Sequence, residues 1–348
     1  MDTSIDPCDD FYRYVCGRWR EDHPMAESEN SWFTERSSRV TLKVREHLRK
    51  NFTDAEVPWA VMQAKNLYDS CIDVASIDSL GLKPLQKVLE RVKLPQIPAA
   101  LTGKHGNLVE LMARVRRVVG KDVFIGFNVD TDPRDKSRNI VYLDTPSSGK
   151  TAIWWIVVDI VVPHSSKKLR QVWHDYVQQV IDYESNEPLS LYCADLVNTM
   201  MGMAVSWLFV DPDFNEKKGT KVAEMLEDIR SAFASIVHTA DWMDQPTKLA
   251  TLEKSSKMTY VIGHPDWLFE KGMIDEYYEG VWHESISPNP FVHRNAHNLE
   301  SSCNRANYFF SSWAADPTDV NALHSFIINR ITVPEAILQF PFYELGLE

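Results

Sequence analysis

Histidines are the residues in this chain best placed to do chemistry, and their spacing decides how far that goes. A hydrolytic zinc site needs two histidines four apart on one helical face, so that both imidazoles reach a single ion. It also needs a glutamate after the first histidine to take a proton from the bound water. His283 and Glu284 begin such a pattern, but position 287 is Ser. His293 and His297 have the four-residue spacing, with Arg294 where the glutamate belongs. Without a base or a third ligand, that pair offers at most a weak, adventitious metal site. The expectation is no catalytic residue, no metal ligand and no cofactor within these residues. Neither a G-x-S-x-G elbow nor a phosphate-cradling glycine loop is present to suggest other chemistry.

Cysteine usage leaves the compartment open. Cys8, Cys16, Cys71, Cys193 and Cys303 lie too far apart for a C-x-x-C metal pair, and they allow at most two internal disulfides with one thiol left over. The sequon Asn51-Phe52-Thr53 fits a secreted surface but is common by chance.

The elements that must position any site are mostly helical. Leu169, Val172, Trp173, Tyr176, Val177, Val180 and Ile181 recur at three-four spacing, as do Val222, Met225, Leu226, Ile229, Phe233, Ile236 and Val237. Leu85, Val88, Leu89 and Val92 form a shorter stripe. Asp6 with Pro7, and Asp244 with Pro246, read as helix starts. Residues 122–129 and 139–143 flank the turn-rich TDPRDKSR and predict a hairpin. The apolar stretch 334–343 is bracketed by prolines and reads as an edge segment or covered loop. The fold class is mainly α with a small β-hairpin.

At 348 residues the chain has room for about two domains. A net charge of −12 argues against nucleic acid and anionic membranes as partners, because both require basic patches. No stretch approaches the roughly 20 apolar residues that span a bilayer. The longest apolar run, 153–162, is short and broken by Asp159, so it predicts a buried element. The acidic N-terminus does not read as a secretory leader.

Five blocks then stand out in one order. They are DPCDDFYRYVCGRW (6–19), YDSCID (68–73), CADLVNTMMGMAVSWLFV (193–210), WMDQPTK (242–248) with IGHPDW (262–267), and VNALHSFIINRITVPEAILQFPFY (320–343). Together they resemble the neprilysin family of zinc peptidases, the M13 peptidases.

The resemblance implies an N-terminal helical domain over 6–267, a helical linking region over 268–319, and the truncated start of an α+β catalytic domain over 320–348. Residues 144–190 match poorly, which suggests an internal deletion. It further implies a peptide substrate, held on an edge strand by Asn321 and Ala322. A disulfide between Cys71 and Cys193 is expected, with Cys8 and Cys16 left without partners by truncation; Cys303 has no counterpart. The family's zinc, its two histidine and one glutamate ligands and its general-base glutamate would lie beyond Glu348, so this chain alone is expected to be inactive. The alternative is a non-catalytic module that binds peptides or a partner. Family members are extracellular or anchored at the plasma membrane. On physical grounds Phe11, Tyr12 and Tyr14, Met200, Met201 and Met203, and Trp242 with Met243 are expected to pack the helical shell.

Overall fold

The computed structural model describes residues 2–18, 31–53, 56–96, 107–119, 121–132, 134–145, 153–181, 188–214, 218–279, 313, 315–339 and 342–343. Helices dominate. They run as α1 Phe11–Cys16, α2 Trp32–Leu48, α3 Trp59–Ile72, α4 Val74–Leu80, α5 Lys83–Val92 and α6 Leu108–Val119. After a hairpin come α7 Ile153–Val161, α8 Lys167–Ile181, α9 Leu189–Phe209, α10 Thr220–Thr239, α11 Gln245–Ser256 and α12 Met273–Tyr277. The hairpin pairs β1 Gly126–Asp132 with β2 Asp135–Asp144 antiparallel. The expected eight-residue turn shrinks because strand pairing continues through it to Asp132 and Asp135. Asp132, buried at that corner, accepts from Arg138 at 2.7 Å and from Arg134 N–H at 2.9 Å.

The main core forms around α9, which packs against α2 and α3. Cys193, Ala194, Val197, Met201, Met203, Ala204, Val205 and Phe209 face Val40, Val44 and Leu48 of α2 and Val61, Ala64, Leu67 and Tyr68 of α3. Small residues on α9 let these helices approach closely, and a disulfide between Cys71 and Cys193 joins α3 to α9. The expected burial of Met201 and Met203 is met at 2% and 4% exposure. A second core joins α5, α6 and α7 through Val88, Leu89, Val92, Val115, Ile156, Val157 and Val161. The apolar run at 153–162 is therefore a buried helix, as its composition predicts.

A second sheet holds three strands in the order β3–β5–β4: β3 Thr259–Gly263, β5 Arg330–Pro334 and β4 Leu323–Ser325. β3 runs parallel to β5, from Thr259 opposite Arg330 to Gly263 opposite Pro334, while β4 is antiparallel to β5. Residues 335–339 then form a turn in which Ala336 is fully buried, so this part of the proline-bracketed stretch is covered, while Pro334 ends β5.

Three expectations are corrected. Asp10, not Asp6, caps α1 by accepting from Arg13 N–H at 2.9 Å, while Asp6 holds the preceding turn through Cys8 N–H at 2.8 Å. Phe11 and Tyr12 are 68% and 76% exposed, because a six-residue helix has no facing element to bury them among the described residues. Trp242 is likewise exposed, although Asp244 does cap α11 through Thr247 N–H at 2.7 Å. On α10 only Val222 and Val237 are buried. The stripe between them, Met225, Ile229, Phe233 and Ile236, faces outward because the helix meets the core only near its ends.

Candidate peptide-binding edge

The site expected at Asn321 and Ala322 is built by the segment that leads into β4. Asp316 and Asp319 close a tight turn: Asp319 N–H donates to the Asp316 carbonyl at 2.8 Å, and Asp316 N–H donates to Asp319 Oδ2 at 2.9 Å. Thr318 donates its hydroxyl to Asn198 Oδ1 on α9 at 2.9 Å, and Ala336 N–H donates to the Pro317 carbonyl at 2.9 Å. The turn is thus fastened to the helical core on one side and to the end of β5 on the other.

Asp316 presses into α9 where the helix leaves regular geometry, at Met201 (φ −138°, ψ 41°). A Cβ on Gly202 would lie 1.9 Å from Asp316 Oδ2, so only glycine admits the carboxylate there. Burial, and then the charge of Asp319, push the Asp316 carboxyl up to about 7. Asp319 is raised by burial as well, and the Tyr277 and Tyr278 phenols behind it are raised for the same reason.

Asn321 and Ala322 emerge from this anchor exposed, immediately ahead of β4 rather than within it. Asn321 Oδ1 accepts from Ala322 N–H at 2.8 Å. β4 is an outer strand, and among the described residues it pairs only with β5, in the register Leu323 to Thr332 and Ser325 to Arg330. Its other edge offers backbone donors and acceptors to an extended chain, the arrangement that supports strand addition. Leu323 is 38% exposed, and His324 packs edge-on against the exposed Phe326 with ring centroids 4.9 Å apart.

Behind β5 lies a polar seam the sequence did not reveal. Glu335 and His264 are 3% and 4% exposed, and His264 Nδ1–H donates to Glu335 Oε2 at 3.1 Å. Glu335 Oε1 accepts from Asp211 N–H at 3.0 Å, so both carboxylate oxygens are engaged. Arg36 of α2 donates to the Ala336 carbonyl at 3.0 Å and to Gln339. Lys43 lies over the Phe209 ring at 4.7 Å, and burial lowers its ammonium below the usual lysine range. No local pattern signals the pair, because 71 residues separate its members.

The described residues do not fit a zinc ion. No three His, Cys, Asp or Glu side chains among them stand close enough to share one, and the sequence holds no H-E-x-x-H. His293, His297 and Cys303 lie outside the described residues. Cys8 and Cys16 are free, Cys8 exposed and Cys16 half-buried. No described helix is long and apolar enough to cross a membrane.

Known proteins agree with this architecture. Neprilysin-1 of Trittame loki is 22% identical over an alignment that covers 99% of this chain and 68% of that protein. That alignment runs over 491 positions, more than the 348 residues here, so the relative carries extra residues inside the matched span. Endothelin-converting enzyme-like 1 of Mus musculus is 28% identical over 192 residues, 55% of this chain and 25% of that protein. The crystal structure of an inhibitor-bound zinc metalloprotease from Mycobacterium tuberculosis superposes with a TM-score of 0.73 at 16% identity, covering 99% of this chain and 70% of that one. Against the curated relatives matched along its whole length, the chain spans 57% to 68% of theirs. The sequence model of peptidase family M13 matches residues 7–152 and 148–265, well over half of the sequence, and the chain belongs to that family.

Proposed function

We propose that this chain is the peptide-capturing part of a neprilysin-type zinc endopeptidase, and that the 348 residues alone bind peptides without hydrolysing them. One observation carries the reading: Asn321 and Ala322 stand at the head of an outer strand with an open backbone edge, fastened to the helical core through Asp316 and Thr318. An extended peptide would add to β4, with main-chain hydrogen bonds giving affinity and the Asn321 amide steering the peptide backbone. Zinc chemistry, supplied in this family by an H-E-x-x-H helix and a further glutamate, would come from residues this sequence does not contain.

In the same reading, residues 320–348 begin the catalytic domain, and a segment is deleted near residues 144–190. The break and restart of the family match near residue 150, and the longer span of the relatives, support that deletion. The Cys71–Cys193 disulfide supports an oxidising, extracytoplasmic setting. Cys8 and Cys16 would await partners in the missing part.

The test combines three readouts on the purified chain: zinc by elemental analysis, cleavage of a peptide library, and binding of a capped extended peptide. We expect no stoichiometric zinc, no cleavage, and binding that weakens about threefold to tenfold in Asn321→Ala, the loss of one or two hydrogen bonds. One tightly held zinc per chain with cleavage would overturn the inactive part of the reading. Absence of any peptide binding would overturn the capture part.

A further inference from the structure

β3 is the other outer strand of the three-stranded sheet, on the side away from β4. Beside it lies a cavity of about 450 Å³, walled by Tyr260, Val261, Ile262, His264, Trp267 and Trp313. Successive side chains of a strand point to opposite faces, so a cavity on one face meets only alternate residues. Contact with three residues in a row therefore places this one along the backbone edge of β3. Among the described residues that edge pairs with nothing, because β3 is bonded only to β5.

The polar groups of the cavity are specific. Trp313, 5% exposed, lines the cavity, while its indole Nε1–H is shielded from it. His264 at the back is held by the Glu335 carboxylate. Asp266, exposed, also lines the cavity, and among the described residues no lysine or arginine does. Arg230 lies over the Tyr260 ring at 5.9 Å, but it is tied to the Met258 carbonyl at 2.8 Å and to Glu227 at 3.4 Å. Indole and phenol faces attract cations, most strongly where water is excluded. A carboxylate beside them, on a chain of net charge −12, adds to that preference.

An occupant that satisfies these features has a cation for the rings and Asp266, and a backbone that can lie along a strand. We propose that the cavity beside β3 is a second peptide-docking site, selective for a lysine or arginine residue. The proposal rests on the reading that this chain handles peptides, but it concerns the sheet edge opposite β4 and does not involve Asn321.

N-acetyl-arginine methylamide, too short to add a strand, separates the two edges. It is titrated into the full chain beside the leucine and glutamate analogues, with the tryptophan indole N–H resonances followed by NMR. The arginine compound should saturate with a Kd on the order of 1 mM and shift the Trp313 indole signal. Binding should weaken about threefold to fivefold in Asp266→Asn, and similarly in Trp313→Leu, which removes the aromatic ring. It should be unchanged in Asn321→Ala. Equal binding of the leucine or glutamate compound overturns the proposal, as do unaltered affinity in both cavity variants, loss of binding in Asn321→Ala, and no saturation up to about 50 mM. If capped arginine binds while extended peptides ignore the β4 edge, this site stands and the β4 reading falls.

Discussion

Replacing Asp316 by asparagine should stabilise the protein, and by more as the pH rises. The carboxyl is mostly buried against Gly202, with Asp319, Tyr277 and Tyr278 as its titratable neighbours, and it is pushed up to about 7 by burial first and Asp319 second. In the unfolded chain it would titrate near the ordinary aspartate value of about 3.9. Between those values the folded protein holds a proton that the unfolded chain has released. Stability must therefore fall as pH rises through that window and level off above about 7. Three units at about 1.4 kcal/mol each give on the order of 4 kcal/mol lost by pH 8, and close to none below about pH 3. Asparagine has nearly the same shape and cannot ionise, so it should recover most of that loss at pH 8. For a chain of this length the gain corresponds to a melting shift of about 5 °C. The assay is urea unfolding of both proteins from pH 3 to 8, read as their difference. The difference is the right quantity because His164 works the other way. Burial lowers its imidazole to about 4, so its contribution is lost as pH falls from about 6.5 toward 4 and would flatten the parent profile. A difference that is flat with pH, or a variant less stable than the parent at pH 8, would refute the reasoning.

Gly202→Ala should cost about 1–3 kcal/mol, since its Cβ would land 1.9 Å from Asp316 Oδ2. Part of that should return in a Gly202→Ala/Asp316→Ala double variant, and strictly additive losses in denaturant titrations would deny the contact. Cys71→Ser should lower stability by about 4–5 kcal/mol, because the disulfide closes a loop spanning 122 positions. The same loss should follow reduction of the parent by dithiothreitol, so a parent whose unfolding midpoint ignores reductant would contradict it. Glu335→Ala should cost about 1–3 kcal/mol by orphaning Asp211 N–H and His264 Nδ1–H. Its companion His264→Ala should add little on top, which a double-mutant cycle would measure.

Much of the helical shell was legible because helices announce themselves locally. The stripe at Leu85–Val92, the cap at Asp244 and the buried run at 153–161 each depend on residues within a few turns of one another. Burial was less legible. The periodicity of α10 is as regular as that of any buried helix, yet Met225, Ile229, Phe233 and Ile236 face outward. A stripe states which face is apolar and nothing about what covers it. β3 escaped notice because five residues of parallel strand carry no turn signal, and their partner lies 71 residues away. The same distance hid the His264–Glu335 pair. At the candidate site, sequence supplied Asn321 and Ala322 by resemblance, while their support, Asp316 lodged at Gly202, depends on a helix distortion that no local pattern encodes.

That support bears on how the proposed peptide edge can be precise when it stands on a loop. Asn321 and Ala322 are exposed, and among the described residues the Asn321 side chain hydrogen-bonds only to its neighbour. Their placement must come from the chain on either side. On the N-terminal side, Asp316, Pro317 and Thr318 are held respectively at Gly202 of α9, at Ala336 beyond β5, and at Asn198 of α9. On the C-terminal side, β4 is pinned by its antiparallel register on β5, whose end is held by Arg36 through the Ala336 carbonyl. Ala336 thus belongs to both anchors, and through it α2 and α9 fix the same strand from two sides. The strain of burying a carboxylate at Gly202 is then a cost tolerated for position. Asp316→Asn should accordingly raise stability while leaving peptide affinity intact, whereas Thr318→Val should spare stability more than it spares affinity.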